Sequence, residues 1–302
     1  MIEVSHLTKR FGSLTAVEDL SFQVQPGRVT GFLGPNGAGK TTTLRLALGL
    51  IRPTGGGVTF DGQKYAAIPR PAHHIGAALE AASFHPGRTA LAHLKTLAPE
   101  VGVSDKRCME ILELVGLKAD AKRRVGQFSM GMRGRLGVAV ALLGDPGVLL
   151  LDEPTNGLDP EGISWIRSLL RAMATQGRTI LISSHLLAEV ENTVDDVIII
   201  AKGRLVHNSS LADLRALARP QTIVAANDPP ALGRLAAGQG WAAQPLPAGP
   251  GRTDAALMVT GPTAAEIGQA AFASGLALTQ LASQVAGLEQ IFFRLTEGGG
   301  LK

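Results

Sequence analysis

Nine consecutive residues, Gly34-Pro35-Asn36-Gly37-Ala38-Gly39-Lys40-Thr41-Thr42, constrain this chain more than any other stretch. They complete the phosphate-loop spacing, a glycine, four residues, then Gly-Lys-Thr. The apolar residues 29–33 before them read as a buried strand, and residues 42–50 after them read as a helix, which is the context such a loop needs. Gly34, Gly37 and Gly39 allow a tight turn that aims backbone N–H groups inward at phosphate oxygens, with Pro35, Asn36 and Ala38 completing the cradle. The helix start adds the positive end of its dipole. Lys40 is placed to reach the terminal phosphates, and the hydroxyl of Thr41, followed by Thr42, to ligate Mg²⁺. The expected ligand is a nucleoside triphosphate.

A second segment carries the matching carboxylates. Val148-Leu149-Leu150-Leu151-Asp152-Glu153-Pro154 is an apolar strand ending in two acids. Downstream of a phosphate loop, the first acid is suited to hold the Mg²⁺ shell and the second to orient or deprotonate an attacking water. A strand ending in solvated acids is common elsewhere, so the pairing with residues 34–42 is what gives these two their meaning.

Composition narrows the class. The 302 residues exceed one typical domain and suggest a large domain with a smaller one. The net charge of +4 comes from scattered Lys and Arg, with only short clusters such as Lys122-Arg123-Arg124, which reads as a solvated basic surface rather than a nucleic-acid footprint. The single cysteine, Cys108, excludes an internal disulfide and fits a reducing compartment. The N-terminus enters a strand pattern without a cleavable leader, and no apolar run approaches the ~20 residues of a membrane span. The expected location is the cytoplasm, and any membrane crossing would belong to another chain.

Along the chain, residues 1–60 alternate short strands and turns, and residues 58–61 form another short strand. Residues 65–145 read as mostly helical, with apolar spacing of three and four over 91–97, 106–115 and 132–143. Strand–helix alternation returns over 148–151, 162–176, 179–183, 186–192 and 197–201, which implies a parallel sheet interrupted by a helical insert. Residues 219–302 are rich in Ala, Gly and Pro. Strands at 222–226, 255–260 and 276–282 and helices around 230–238 and 263–274 fit a small βαββαβ unit of ferredoxin-like kind, with a hairpin loop at 245–252, a terminal helix over 288–295 and a frayed tail at 298–302.

Taken together, residues 1–215 resemble the ATP-binding cassette (ABC) ATPases. Residues 34–42 match the Walker A motif and 148–153 Walker B with its adjacent glutamate. Phe128-Ser129-Met130-Gly131-Met132 is similar to the family signature L-S-G-G-Q, Thr155-Asn156-Gly157-Leu158-Asp159 to the D-loop, and Ser183-Ser184-His185 to the H-switch. The resemblance implies an α/β core of the P-loop NTPase kind, a mixed sheet with a helical subdomain at about 85–145, followed by the small α+β domain at 219–302. It further implies ATP and Mg²⁺ as ligands, Phe11 against adenine, Asp152 in the metal shell, Glu153 as general base and His185 on the γ-phosphate. Ser129 and Gly131, at a helix start, would serve the γ-phosphate held by the opposite subunit of a head-to-tail homodimer, with Asp159 linking across it.

Two departures stand out. Glu80 occupies the position of the family's Q-loop glutamine, where a carboxylate can still join the Mg²⁺ environment but cannot donate as an amide does. Met130 replaces the first signature glycine, and Gly134 stands where many relatives have glutamine. Residues 75–80, Phe84-His85-Pro86 and the S-x-G-M-R run resemble the exporter branch tied to drug and antibiotic self-resistance. In that branch the permease is a separate ABC-2 type membrane chain. The expected function is therefore the ATP-hydrolysing subunit of an efflux transporter for a drug-like or lipid-like substrate, peripheral on the inner membrane face and coupled around residues 80–88, with no nucleic-acid partner. A soluble ABC ATPase acting on nucleic acid or ribosomes is the rival reading. His73, His74, His85 and His93 lack the companions a metal site requires. Trp165 and Trp241 read as packing residues.

Overall fold

Strands β1 (Ile2–Phe11) and β2 (Leu14–Val24) pair antiparallel from Ile2↔Val24 to Phe11↔Leu14. Their apolar residues Ile2, Val4, Leu7, Val17, Leu20 and Phe22 are buried, leaving polar neighbours outside. The computed structural model describes residues 1–79, 84–217, 220–246, 256–284 and 288–297. They fall into two compact units, one of Met1–Ala212 joined by the segment from Phe292, the other Asp213–Ile291.

In the first unit the chain continues through β3 (Val29–Leu33), α1 (Lys40–Ala47), β4 (Gly55–Phe60) and β5 (Ile75–Ala78). Three helices follow, α2 (Ala90–Val101), α3 (Asp105–Leu114) and α4 (Met130–Leu142). Then come β6 (Val148–Leu151), α5 (Pro160–Thr175), β7 (Thr179–Ser184), α6 (Leu187–Val190), β8 (Asp196–Ala201) and β9 (Arg204–Ser210). The strands form two sheets. A three-stranded antiparallel sheet runs β2-β1-β4, and a six-stranded mixed sheet runs β5-β6-β7-β3-β8-β9, antiparallel only at β8–β9. Strands β3, β6 and β7 are buried at every position, as parallel strands covered on both faces must be. One core joins both sheets and α1 through Phe22, Phe32, Leu44, Leu150 and Ile198. Each such side chain contributes roughly 1.5–3 kcal/mol on burial.

Register sets where chemistry can occur. Ala78 lies opposite Leu151, Leu151 opposite Ile182, and Leu33 opposite both Ser184 and Ile199. The carboxyl ends of β3, β5, β6 and β7 thus share one edge of the sheet, where open α/β sheets place their ligands.

Several sequence expectations shift in the structure. Helix α1 begins at Lys40, not residue 42, so Lys40 and Thr41 occupy its first turn. Among the described residues from 65 to 89, helix is confined to two single-turn 3-10 pieces, Tyr65–Ala67 and Pro71–His73, and the segment contributes β5. Parallel pairing with β6 overrides the helical reading there, because the edge of a buried sheet leaves backbone groups that need partners. The strands at 1–60 are longer than short: β1 has 10 residues and β2 has 11. Glu80, with residues 81–83, lies outside the described residues, as does the expected tail at 298–302.

The second unit contains β10 (Gln221–Ala226), α7 (Pro229–Gly238), β11 (Ala242–Leu246), β12 (Ala256–Thr260), α8 (Ala264–Ala273) and β13 (Leu278–Gln284). Its antiparallel sheet runs β11-β12-β10-β13 around a core of Val224, Ala226, Leu232, Val259 and Ile267. Pro245 and Leu246, expected in a loop, belong to β11, while residues 247–252 of that loop lie outside the described residues. No described helix is long and apolar enough to cross a membrane.

Candidate nucleotide site

The phosphate loop closes on itself through Lys40. Its ammonium donates to the carbonyl oxygens of Gly34 at 2.7 Å and Pro35 at 3.3 Å, and lies 3.6 Å from Glu153 Oε1. Burial pushes the Lys40 ammonium below the usual lysine range, opposed by the negative charges of Glu153 and Asp152. Gly39, at φ 105° and just before α1, has no room for a side chain: a Cβ there would meet the Ala16 carbonyl oxygen at 2.6 Å. The loop is anchored from outside as well. Gly34 N–H donates to Ser184 O at 3.3 Å, and Ala38 O accepts from Gly203 N–H at 3.0 Å.

The carboxylates arrive from the end of β6. Asp152 Oδ2 accepts the Thr41 hydroxyl at 2.6 Å, while Asp152 Oδ1 accepts the hydroxyl of Ser183. Ser183 Oγ in turn accepts the backbone N–H of Glu153 at 2.9 Å. Glu153 has φ +48°, a left-handed conformation that costs a non-glycine residue about 1 kcal/mol. Its second carboxylate oxygen, Oε2, is 3.2 Å from His185 Nδ1. Lys40, Thr41, Asp152, Glu153 and His185 therefore form one cluster, although they come from three separate stretches of chain.

A cavity of about 510 Å³ beside this cluster is lined by Phe11, Asn36, Gly39, Lys40, Thr42 and Glu153. Phe11 is half-exposed at the β1–β2 turn, with Lys9 Nζ 4.7 Å from its ring centroid. Lys202 and Gly203, from the β8–β9 turn, line the same cavity. The donor set suits magnesium. Two hard oxygen donors, Thr41 Oγ1 and Asp152 Oδ2, stand together, and among the described residues no three His, Cys, Asp or Glu side chains are placed to hold a metal ion by themselves. Mg²⁺ characteristically takes few protein ligands and completes its shell with phosphates and water.

Not every expected site residue joins the cluster. Ser129 caps α4 by accepting Met132 N–H at 3.2 Å, and Gly131 in the first turn sits against Gly157 and Leu158, where a Cβ would meet the Gly157 oxygen at 3.2 Å. Asp159 caps α5 by accepting Gly162 N–H at 2.8 Å. Among the described residues none of the three has a hydrogen bond to the carboxylate cluster. Met130, half-exposed beside them, lines a second cavity of about 610 Å³ with Thr41, Asp152 and Glu153. Trp165 stacks under the Arg135 guanidinium at 4.6 Å and donates Nε1–H to Leu114 O at 3.4 Å, so it joins α5 to the helical segment.

Three side chains at the site were not assigned by motif reading. They are Ser183, Glu189, whose carboxylate accepts the Thr155 hydroxyl at 2.9 Å, and Lys202, which lines the cavity. All three depend on what folds beside them.

Known proteins resemble this chain in sequence and in fold. The family model described as ABC transporter matches residues 17–156, and a domain of unknown function (DUF8746) matches residues 220–289. The chain is 45% identical over 208 residues to the bacitracin transport ATP-binding protein BcrA of Bacillus licheniformis, covering 68% of each chain. It is 37% identical to the lantibiotic transport ATP-binding protein SrtF of Streptococcus pyogenes, covering 68% of this chain and 89% of that one. It is also 34% identical to the BcrA protein of Enterococcus faecalis, over 100% of this chain and 98% of the relative. Among solved structures, the ATP-binding subunit of an ABC transporter superposes with TM-score 0.65 at 28% identity, covering 72% of this chain and 92% of that one. A dimeric ATP-binding cassette in a post-hydrolysis state superposes with TM-score 0.63 at 24% identity, covering 70% and 99%, a likeness of fold.

Proposed function

This chain belongs to the ATP-binding proteins of ABC transporters, and from that premise we propose that it binds and hydrolyses ATP to drive efflux through a membrane permease carried on a separate chain. The single observation that carries the reading is the convergence of Lys40, Thr41, Asp152, Glu153 and His185 at the carboxyl ends of β3, β6 and β7. Phosphoryl transfer to water asks a protein mainly for positioning and charge stabilisation. Each member has a part in that. Lys40 and the loop N–H groups hold the β- and γ-phosphates. Thr41 and Asp152 would hold Mg²⁺, which when bound neutralises charge on the phosphates. Glu153 takes the proton of the attacking water, and His185 hydrogen-bonds the γ-phosphate. The Glu153 carboxylate lies between Lys40 and His185, the two residues that would engage phosphate beside it.

The start of α4 is exposed and remote in hydrogen bonding from the cluster, which supports its use by a second copy. Ser129 and Gly131 of one chain would then cap the nucleotide of the other in a head-to-tail homodimer, with Asp159 near the seam. Phe11 supplies the ring against adenine. The relatives' names, bacitracin and lantibiotic transport, support a drug-like or lipid-like exported compound. The permease would be of the ABC-2 type, with the subunit resting on the inner membrane face. These duties would fall to a cassette over about residues 1–215, with packing or dimer support left to the residues that follow it.

Glu153→Gln tests the reading. ATP binding should survive, hydrolysis should fall about 100-fold or more, as expected on losing a general base, and an ATP-dependent dimer should accumulate on size exclusion. Turnover within twofold of the parent chain would remove Glu153 from the mechanism.

A further inference from the structure

We infer that Ser183 is a positioning residue for hydrolysis, setting through one hydroxyl both the metal-binding carboxylate and the backbone of the general base. The inference rests on the roles given above to Asp152 and Glu153. Ser183 lies in β7, one step beyond the Leu151↔Ile182 pair, so the parallel register brings it beside Asp152. It is fully buried. Its hydroxyl has one proton, and the two contacts dictate where that proton points. Asp152 Oδ1 can only accept, and Glu153 N–H can only donate, so Ser183 donates to the first and accepts from the second.

Two consequences follow from that polarity. Asp152 is held at both oxygens, by Thr41 on one side and Ser183 on the other. A hydroxyl that offers a lone pair to a metal ion keeps its proton, so Thr41 can still donate to one oxygen of Asp152. Ser183 fixes the other oxygen, and the two together set the direction in which the carboxylate is aimed. The second consequence concerns Glu153, whose left-handed backbone is unfavourable by itself. The Ser183 oxygen satisfies its N–H in that conformation, and so helps to hold the turn that sends the Glu153 side chain toward Lys40 and His185 rather than along the strand. A residue without a hydroxyl would leave that N–H without its partner and Asp152 held at one oxygen, by Thr41 alone.

The test compares Ser183→Ala and Ser183→Cys in the full chain with the parent and with Glu153→Gln. Cysteine keeps the approximate size of serine but is a weak donor and acceptor, so it separates hydrogen bonding from packing should the alanine variant fold poorly. Three quantities are read: kcat for ATP, the Mg²⁺ concentration at half-maximal rate, and binding of ATP in the presence of a chelator. The expected result for both variants is a kcat lowered about 10- to 100-fold and a Mg²⁺ requirement raised several-fold, with metal-free ATP binding within about twofold of parent. A merely structural role would not move the Mg²⁺ requirement while sparing metal-free binding. If Ser183→Cys keeps the parent's kcat and Mg²⁺ requirement while Glu153→Gln is inactive, the role of Ser183 is overturned and the hydrolysis reading stands. Parental activity in Glu153→Gln would instead overturn the reading on which the inference rests.

Discussion

Lys40 shows how one side chain can be both part of the fold and part of the chemistry. Its ammonium is desolvated and hydrogen-bonded to two carbonyl oxygens of the loop that presents it. Desolvation lowers its proton affinity, and the nearby carboxylates recover only part of the loss. The sign for ligand binding follows. A triphosphate brings negative charge to the ammonium and raises its pKa again, so binding at alkaline pH should take up a proton. Affinity for ATP should therefore fall as pH rises through the lowered pKa of the free protein, earlier than an ordinary lysine would dictate. Titration calorimetry at alkaline pH in two buffers of different ionisation enthalpy measures this uptake; affinity and enthalpy that ignore both pH and buffer would contradict it. Gly39 is legible from sequence in the same physical terms, since its positive φ and the nearby Ala16 carbonyl leave only glycine. The contacts of Ser183 were not legible in that way. They exist because β6 and β7 lie side by side in one register, and no spacing within residues 179–185 records it.

At the scale of elements, caps explain why three helices begin where they do. Thr89, Ser129 and Asp159 each accept an N–H from the first turn of α2, α4 and α5. For Ser129 and Asp159 this local duty coincides with the duty proposed between subunits, and substitution can separate the two for Asp159. Asparagine caps a helix about as well as aspartate, whereas alanine costs about 1 kcal/mol. Asp159→Asn should keep the parental melting temperature and Asp159→Ala should lower it. If the carboxylate charge matters across the dimer, both should reduce ATPase rate and ATP-dependent dimerisation. Full activity in Asp159→Asn would confine the residue to capping. The helices α2, α3 and α4 were visible in the sequence as three- and four-residue apolar spacing, give or take their ends. The strand β5 was not, because Ile75-Gly76-Ala77-Ala78 carries no alternation and becomes a strand by pairing with β6. Gly76 shows how close that packing is: a Cβ there would meet the Ala141 oxygen at 2.1 Å.

Across the whole molecule, the division into two units gives each its own core. The Asp213–Ile291 unit surrounds Val224, Leu232, Val259 and Ile267, none of which belongs to the nucleotide cluster. Ile267→Ala should thus destabilise that unit by about 2–5 kcal/mol, the usual range for truncating a buried isoleucine, while the KM for ATP stays within about twofold of parent. Differential scanning calorimetry beside steady-state kinetics checks both halves, and a large rise in KM would tie this core to the nucleotide site. What the sequence determined unaided was local and repetitive: the phosphate loop with its flanking strand and helix, the acid pair closing an apolar strand, and the apolar spacing of α2, α3 and α4. Covalent spacing is enough for these, since the loop, the strand end and the helix each arise from neighbours in the chain. Only the tertiary structure decided which strands lie together, where Glu153 points between Lys40 and His185, and that Ser183 bridges Asp152 to Glu153. Those depend on sheet register and on burial, which bring residues more than a hundred positions apart within hydrogen-bonding distance, as with Thr41 and Asp152.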